Sequence, residues 1–252
     1  MKKHALAIGI TALLTCVNAQ ADTLLGIYAG AQGWNMETTG GFSDDGSNLE
    51  FNFDDKTQSS FYVALEHPIP LVPNIKLQRT SMDTDGMVSL STNFAFGDEL
   101  FTTNSTLLTD ISLSSTDAIL YYELFDNDLL SFDLGINAKY LAGELFVVDS
   151  DDPTTSGREE FSGVVPMLYS RLAIGIPTTG LGAYVEGSYL SFDDQTLTDY
   201  QAAITYSLME NLAIDLTFQV GYRSVEVDLD DLDGIYSNLQ FKGVFAGIEA
   251  HF

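Results

Sequence analysis

Histidine is the commonest general base in enzymes, and it is scarce in this chain. Only His4, His67 and His251 are present. His4 lies in the N-terminal leader described below, His67 follows a strand-like segment and His251 is the penultimate residue. The serine-rich and aspartate-rich loops therefore have no nearby base, and the sequence does not predict an enzyme.

The segment 228–234, with the sequence DLDDLDG, has the composition of a calcium loop. Its spacing departs from the EF-hand pattern, because Gly234 falls one position late and no glutamate closes the loop at its twelfth position. We expect no metal site and no cofactor. Two readings of the acidic segments stay open: repulsive solvation, or weak binding of divalent cations that bridge these segments to anionic phosphates.

The charge balance excludes one broad class of partner. Of 252 residues, 10 are Lys or Arg and 36 are Asp or Glu, so the net charge is −26. The few basic residues are scattered, and such a chain repels phosphate backbones, which argues against nucleic-acid binding. The 45% apolar content is too high for a disordered acidic chain.

Residues 1–21 have the order of a secretory signal peptide: Lys2 and Lys3, an apolar run, and the small-residue end Ala19-Gln20-Ala21. Its removal leaves 8 basic and 36 acidic groups, net −28, and no cysteine. Acylation of Cys16 as a lipoprotein is disfavoured, since Thr15 stands where Gly, Ala or Ser is usual.

The mature chain alternates with period two. In the segments 130–140, 200–208 and 212–222, the even positions are mainly apolar and the odd ones small, polar or charged. Short connections (67–74, 125–128, 177–180, 209–211) alternate with longer acidic ones (38–58, 84–109, 149–160, 228–236). Aromatic residues on the apolar face also fall into two groups, which predict belts about 20 Å apart.

The last strand alternates through Val244, Ala246 and Ile248 to a terminal Phe252, with Gly247 on the opposite face. It resembles outer-membrane β-barrel proteins, whose final aromatic residue is read by the barrel-assembly machinery. The segments 116–124 (TDAILYYEL) and 133–135 (DLG) are similar to a family of small, largely uncharacterised Gram-negative outer-membrane β-barrel proteins. This resemblance implies a fold and a location, and no catalytic residues.

The fold class we predict is all-β: a transmembrane antiparallel up-and-down β-barrel over residues 22–252, with long acidic extracellular loops and short periplasmic turns. About ten strands are expected: 24–34, 59–66, 75–82, 117–124, 130–145, 163–176, 181–192, 199–208, 212–225 and 239–252. Eight or twelve are alternatives. Residues 83–115 are interpreted as strands three and four continuing above the membrane; as a separate pair they would make twelve.

Register arguments predict ion pairs in the lumen. The turn 177–180 sets Arg171 opposite Glu186, and the turn after Glu66 leaves Glu66 diagonal to Lys76. Further charges are expected to face inward: Asp117, Lys139, Asp215, Arg223, Lys242 and Glu249. These charges either form a packed, mutually satisfied network or line a polar pore.

The sequence therefore favours an outer-membrane barrel of a Gram-negative cell, with both termini periplasmic and a structural or surface-interaction role. The alternative is a narrow, porin-like channel for small solutes, or a barrel with a side opening for apolar molecules. Expected partners are outer-membrane lipid and lipopolysaccharide, and, during biogenesis, periplasmic chaperones and the barrel-assembly machinery.

Overall fold

Sixteen strands and no helix make up the described part of the chain, residues 25–127, 129–192, 195–211, 214–232 and 234–252 of a computed structural model. The predicted signal peptide, residues 1–21, lies outside these ranges. None of the described segments forms a helix long and apolar enough to cross a membrane. The strands are β1 Gly26–Thr39, β2 Gly41–Ser43, β3 Leu49–Glu50, β4 Asn52–Phe53, β5 Lys56–Glu66, β6 Asn74–Ser81, β7 Thr84–Ser89, β8 Phe94–Phe96, β9 Glu99–Phe101, β10 Thr106–Asp126, β11 Leu130–Asp149, β12 Ser156–Ile176, β13 Leu181–Phe192, β14 Gln195–Glu210, β15 Asp215–Leu232 and β16 Ile235–His251.

Ten of these strands form a closed antiparallel barrel, in the order β1, β5, β6, β10, β11, β12, β13, β14, β15 and β16. Strand β1 pairs with both β5 and β16, which closes the ring; Tyr28, for example, lies opposite Ala64 on one side and His251 on the other. Closure leaves the ring without an open edge. The predicted up-and-down barrel of about ten strands is confirmed.

The two ends of the barrel differ in their connections. Short segments join the strands at one end, called here the turn end, and Gly26 and Phe252 lie there as well. The turn 177–180 reverses the chain with Thr178 and Gly180 at φ 69° and 70°. The opposite, loop end carries the long connections 40–55 and 82–105. The predicted loop 228–236 is wrong, since β15 and β16 pair as far as Leu232 and Ile235.

Segment 83–115 extends the barrel wall at the loop end. Strand β7 pairs with the first residues of β10, with Val88 opposite Leu107, directly beyond the residues of β10 that pair with β6. The interpretation of this segment as strands continuing upward is therefore confirmed, and the twelve-strand alternative is wrong.

The inner and outer faces of the long strands exchange polarity between the two halves of the barrel, although the same alternate positions face inward throughout. In the loop-end half of β10, Leu107 and Ile111 are buried inside, while Asp110 and Ser112 face out. In the turn-end half of the same strand, Asp117 is buried inside. There the outward side chains are apolar, and Leu120 and Tyr122 are 39% and 45% exposed. The loop-end half is thus built like a soluble barrel and the turn-end half like one surrounded by lipid.

The outward face of the turn-end half is mainly apolar. Phe61, Ile136 and Ile204 are 57%, 63% and 67% exposed, although each is large and apolar. Exposed tyrosines lie on the same face: Tyr122, Tyr140, Tyr189, Tyr200, Tyr206 and Tyr222. An apolar surface of this extent is stable only against another apolar phase or partner.

The interior of the loop-end half is filled by one apolar cluster. It contains Trp34, Met36, Leu145, Val227 and Phe241, each no more than 2% exposed. Five phenylalanines from the inserted strands and loops close its outer side, and we call them the aromatic cap: Phe42, Phe51, Phe94, Phe96 and Phe101.

The hairpin β8–β9 brings part of the aromatic cap over the barrel opening. Phe96 lies edge-on to Phe42, with ring centroids 5.1 Å apart. Gly97 turns the hairpin at φ 60°, and a Cβ atom there would lie 2.5 Å from the amide nitrogen of Arg158 on β12. The hairpin can approach the wall this closely because the residue at its tip is glycine.

Candidate functional site

The lumen of the turn-end half contains two clusters of buried charge. The first, called the inner cluster, joins four strands just below the apolar core. Lys139 Nζ lies 2.6 Å from Asp117 Oδ1 and 2.9 Å from Asp199 Oδ2. Arg223 donates to both oxygens of Asp199, over 3.0 and 2.8 Å. Two cations therefore balance two carboxylates, and the bidentate geometry of Arg223 fixes their arrangement.

Neutral groups complete the inner cluster. Arg223 also donates to the Thr80 hydroxyl over 3.2 Å, and its guanidinium lies 5.3 Å from the ring centre of Trp34 in the apolar core above. Asn137 donates to Asp117 over 2.6 Å. Lys139 is fully buried, and these ion pairs and hydrogen bonds offset the desolvation cost of its charge.

The second, called the outer cluster, lies nearer the turn end and is centred on Glu186. Lys76 Nζ donates to its two oxygens over 2.8 and 3.1 Å, and Gln201 donates over 2.7 Å. Arg171 lies directly opposite Glu186 in the β12–β13 register, with Nε 3.6 Å from Oε2. Arg171 is also 3.8 Å from Asp133. Again two cations face two carboxylates.

The predicted ion pair between Glu66 and Lys76 is wrong. The register is the predicted one, with Ala64 opposite Lys76. The Lys76 side chain, however, extends across the lumen to Glu186, while Glu66 accepts a hydrogen bond from the Tyr121 hydroxyl over 2.7 Å. The side chains of Lys76 and Glu186 are each only 9% exposed, whereas Glu66 is half-buried. The buried carboxylate has the greater need of a cation, so Lys76 pairs with Glu186.

The predicted inward orientation of Lys242 is also wrong. It has the same parity as Val244, which is 58% exposed, whereas Phe241 and Phe245 are buried inside. Lys242 therefore lies on the outer face, opposite Glu37 in the register with β1, and donates to Gln240 over 3.2 Å. It belongs to the loop-end half, where polar residues face outward.

The remaining predicted inward charges lie at the turn end. Asp215 is opposite His251, with 3.6 Å between the carboxylate and Nδ1. Glu249 accepts a hydrogen bond from the Tyr62 hydroxyl. His67 Nδ1 accepts from the Ile69 amide over 3.3 Å, so both described histidines have local structural partners.

Gly247 and Phe252, the proposed assembly signal, lie in the strand that closes the ring. Gly247 faces inward between Gln32 and Gln219, and Phe252 is 56% exposed at the turn end. The Phe252 amide donates to the Ile27 carbonyl over 2.9 Å.

Asp133 and Asp199 belong to the two clusters but are not among the residues predicted from the sequence. The parity of β14 carried a signal for Asp199, because it shares the inner face with Gln201, which opposes Arg223. Asp133 lies opposite Arg171. That register depends on the loop between β11 and β12, whose geometry the sequence does not define.

The free space in the lumen lies at the turn end. A cavity of about 590 Å³, called here the vestibule, opens there and reaches inward as far as the outer cluster. Between the two clusters, a void lined by Asp117, Asn137 and Arg223 holds about 20 Å³. That space accommodates about one water molecule. Above it lie the apolar core and the aromatic cap.

Carboxylates at the loop end are arranged to stay ionised. Hydrogen bonds from the Ser47 hydroxyl and amide lower the pKa of Asp45 below its usual value. The Thr154 hydroxyl, which donates over 2.6 Å, likewise lowers the pKa of Asp152. The exposed loops are therefore strongly negative at neutral pH.

Comparisons with known proteins show likeness in structure alone. No family model and no curated protein matches the chain. The transport unit of the autotransporter AIDA-I from Escherichia coli matches 99% of this chain and 97% of its own length, with 8% identity and a TM-score of 0.42. The Pseudomonas putida toluene transporter TodX matches 92% of this chain and 90% of its own length, with 7% identity and a TM-score of 0.32. A FadL homologue of Pseudomonas aeruginosa matches 90% of this chain and 90% of its own length, with 9% identity and a TM-score of 0.26.

Proposed function

We propose that the protein is an integral barrel of the Gram-negative outer membrane whose lumen does not conduct. Its role is structural or one of surface interaction, with lipid and lipopolysaccharide around the turn-end half and the acidic loop end outside the cell. Both termini are then periplasmic, and residues 1–21 serve as the signal peptide. The exchange of polarity between the two halves supports this location, since the apolar outer face is confined to a band that a bilayer would cover.

The observation that carries the proposal is the double closure of the lumen. Lys139, Arg223 and their carboxylates form one barrier, in which every charge has an opposite charge within 3 Å. The apolar core behind it would exclude a hydrated ion a second time, because an ion entering it loses its water without replacement. A passage for solutes would require both layers to move.

The alternative of a narrow channel is less well supported. The vestibule would serve as its entrance, but it ends at the outer cluster. Catalysis is not part of the proposal, because both described histidines have structural partners at the turn end. Neither a metal nor another cofactor is needed for the proposed role.

Conductance across planar bilayers tests the proposal. The purified protein, checked for folding by its heat-modifiable mobility in gels, should give little current, whereas a general porin in the same bilayers should conduct steadily. Steady wild-type current would overturn the proposal, above all if Arg171→Glu shifted its selectivity toward cations.

A further inference from the structure

Above the closed ring, strand β12 extends beyond its neighbour β13. The two strands pair from the turn 177–180 as far as Leu168 and Tyr189. Residues 156–167 of β12 continue toward the loop end, and in the described ranges they pair with β11 alone. Residues 190–192 of β13 pair with β14 instead. The side of β12 that faces away from β11 is therefore an unpaired edge, called here the free edge.

Pro166 ends the pairing between β12 and β13. The Gly175 amide donates to the Leu129 carbonyl on the β11 side, so the odd-numbered residues of β12 bond to β11 and the even-numbered ones point toward β13. The next even-numbered residue beyond Leu168 is Pro166, which has no N–H group to donate. A proline in this position is typical of a strand whose edge stays unpaired.

The barrel wall is open beside the free edge. Residues 162–164 are all exposed, whereas Met167, which faces inward on the same strand, is 2% exposed. Gly163 also faces inward, yet a Cβ atom there would meet no other atom within 4 Å. At Gly143, inward on β11, a Cβ atom would lie 2.7 Å from the Phe161 ring. The inner face next to Gly163 therefore has room for a further side chain.

The free edge offers both polar and apolar contacts. Its backbone presents the N–H and C=O groups of Glu160, Ser162 and Val164 in a row. Phe161 and Val165 lie half-buried beside this row and pack against the apolar core. A lipid chain or a small apolar molecule would cover the two side chains but would leave the backbone groups without partners. An extended polypeptide covers both, because a β-strand carries matching backbone groups at the same spacing.

The charge around the upper part of the free edge is negative. Burial and the neighbouring carboxylates of Asp44 and Asp98 raise the pKa of Glu159. The adjacent cation, Arg158, is engaged by Glu144, with 2.5 Å between Nη1 and Oε1. Basic side chains on a docking strand would therefore be attracted to this part of the edge.

We propose that the free edge of β12 binds an extended segment of another protein, which adds a strand antiparallel to β12 beyond the point where β13 leaves it. The segment carries apolar side chains on the inner face, next to Phe161 and Val165, and basic side chains near Glu159 and Glu160. The inference deepens the proposed surface-interaction role, and rests on it for the position of the loop end outside the cell.

A second copy of this chain is a poorer occupant of the free edge. Barrels in one membrane have the same orientation, so antiparallel pairing of two β12 edges would require one copy to be inverted. Barrel strands also tilt by about 35–45°, so two copies related by an axis along the membrane normal would cross there instead of aligning.

Fluorescence anisotropy of a labelled peptide, titrated with the folded protein in detergent, tests the free edge. The probe is a peptide of about seven residues with alternating lysine and valine, long enough to span 159–165. Saturable binding is expected. With the valines on the inner face, the lysine amides face β12, because directly opposed residues of antiparallel strands have their side chains on the same face.

Two methylated peptides separate backbone pairing from attraction to an acidic surface. N-methylation of the lysine amides removes the N–H groups that face β12 and should weaken binding at least about tenfold. N-methylation of the valine amides keeps the same charge and blocks only the opposite edge of the peptide. It should change the affinity less than about twofold.

Variants of the protein give the reciprocal test. Ser162→Pro removes an N–H group from the free edge without affecting the bonds to β11, and should lower the affinity several-fold. Gly163→Trp fills the open space on the inner face and should lower it at least about tenfold. Gly33→Trp is the matched control, since a Cβ atom at that exposed glycine of β1 also meets no atom within 4 Å, and it should bind like the wild type. Heat-modifiable mobility checks the folding of each variant.

Four outcomes would overturn the proposal. Without saturable binding to the folded wild type, the free edge would not be a docking site for such a strand. Equal affinity of the lysine-methylated peptide would mean attraction by charge alone. Unchanged affinity of Gly163→Trp would place the binding elsewhere. A concentration-dependent dimer that Ser162→Pro dissociates would make a second copy the occupant. The conductance test of the closed lumen is independent of all four.

Discussion

Lys139 and Asp117 face each other across β11 and β10 with 2.6 Å between Nζ and Oδ1, and their side chains are 0% and 3% exposed. The pair lies at the level where the inner face of the barrel changes from polar to apolar: Leu141, two residues further along β11, already belongs to the apolar core. It therefore joins the two halves of the barrel.

Lys139→Met should lower the free energy of unfolding by about 3–5 kcal/mol, because it leaves Asp117 charged and buried without a cation. Lys242→Met is the matched control: that lysine lies on the outer face and should contribute no more than about 0.5 kcal/mol. Urea titrations in detergent micelles, followed by gel mobility, give both values. Similar losses in the two variants would contradict the structural role of Lys139.

Glu186 should be coupled more strongly to Lys76 than to Arg171. Its contact with Lys76 is 2.8 Å and nearly buried, whereas that with Arg171 is 3.6 Å and the Arg171 side chain is 31% exposed. In double-mutant cycles with Glu186→Gln, we expect a coupling energy of about 1–3 kcal/mol for Lys76→Gln and a smaller one for Arg171→Gln. The reverse order would show that the local register, and not the shorter contact, determines the pairing.

The sequence carries the register wherever a short turn joins two strands. The turn at 177–180 determines that Arg171 faces Glu186, and strict alternation determines that Ile204 and Tyr222 face outward. These features depend on neighbours in the chain. The barrel and its strand count are predictable because each of the ten strands shows the same local alternation between turns.

Contacts across the lumen could not be derived in that way. Lys76 binds Glu186, 110 positions away, and the choice depends on the barrel diameter and on which rings lie between them. The predicted inward position of Lys242 is wrong for another physical reason. Inside the bilayer a charge must face inward, but in the loop-end half water covers the outer face and a charge lies there at little cost. Alternation alone does not show where the bilayer ends.

The aromatic cap should contribute to stability through packing. Phe101 is fully buried, so Phe101→Ala should cost about 3–5 kcal/mol, while Leu100→Ala, at a neighbouring position 58% exposed, should change stability by no more than about 0.5 kcal/mol. Urea unfolding measures both. If Phe101→Ala had no effect, the hairpin β8–β9 would not be packed on the core.

Phe252 should affect assembly more than stability. Its side chain is 56% exposed, so its truncation removes little packing. If the barrel-assembly machinery reads it, Phe252→Asp should lower the yield of heat-modifiable protein in the outer membrane several-fold and increase periplasmic degradation. Phe252→Tyr keeps the aromatic ring and should assemble normally. Equal yields of the Asp and Tyr variants would mean that the terminal residue is not read.

The proposed orientation of the barrel, with the turn end in the periplasm, can be tested by labelling single cysteines. The mature chain has no cysteine if residues 1–21 are removed, so each introduced thiol is unique. Cysteines at the exposed loop-end positions Asp54 and Asp151 should react with a membrane-impermeant maleimide on intact cells. One at Leu129, 57% exposed at the turn end, should react only after the outer membrane is permeabilised. All three side chains are exposed, so a difference in labelling reports their compartment and not their burial. If Leu129→Cys alone were labelled on intact cells, the barrel would have the opposite orientation, with the vestibule on the cell surface.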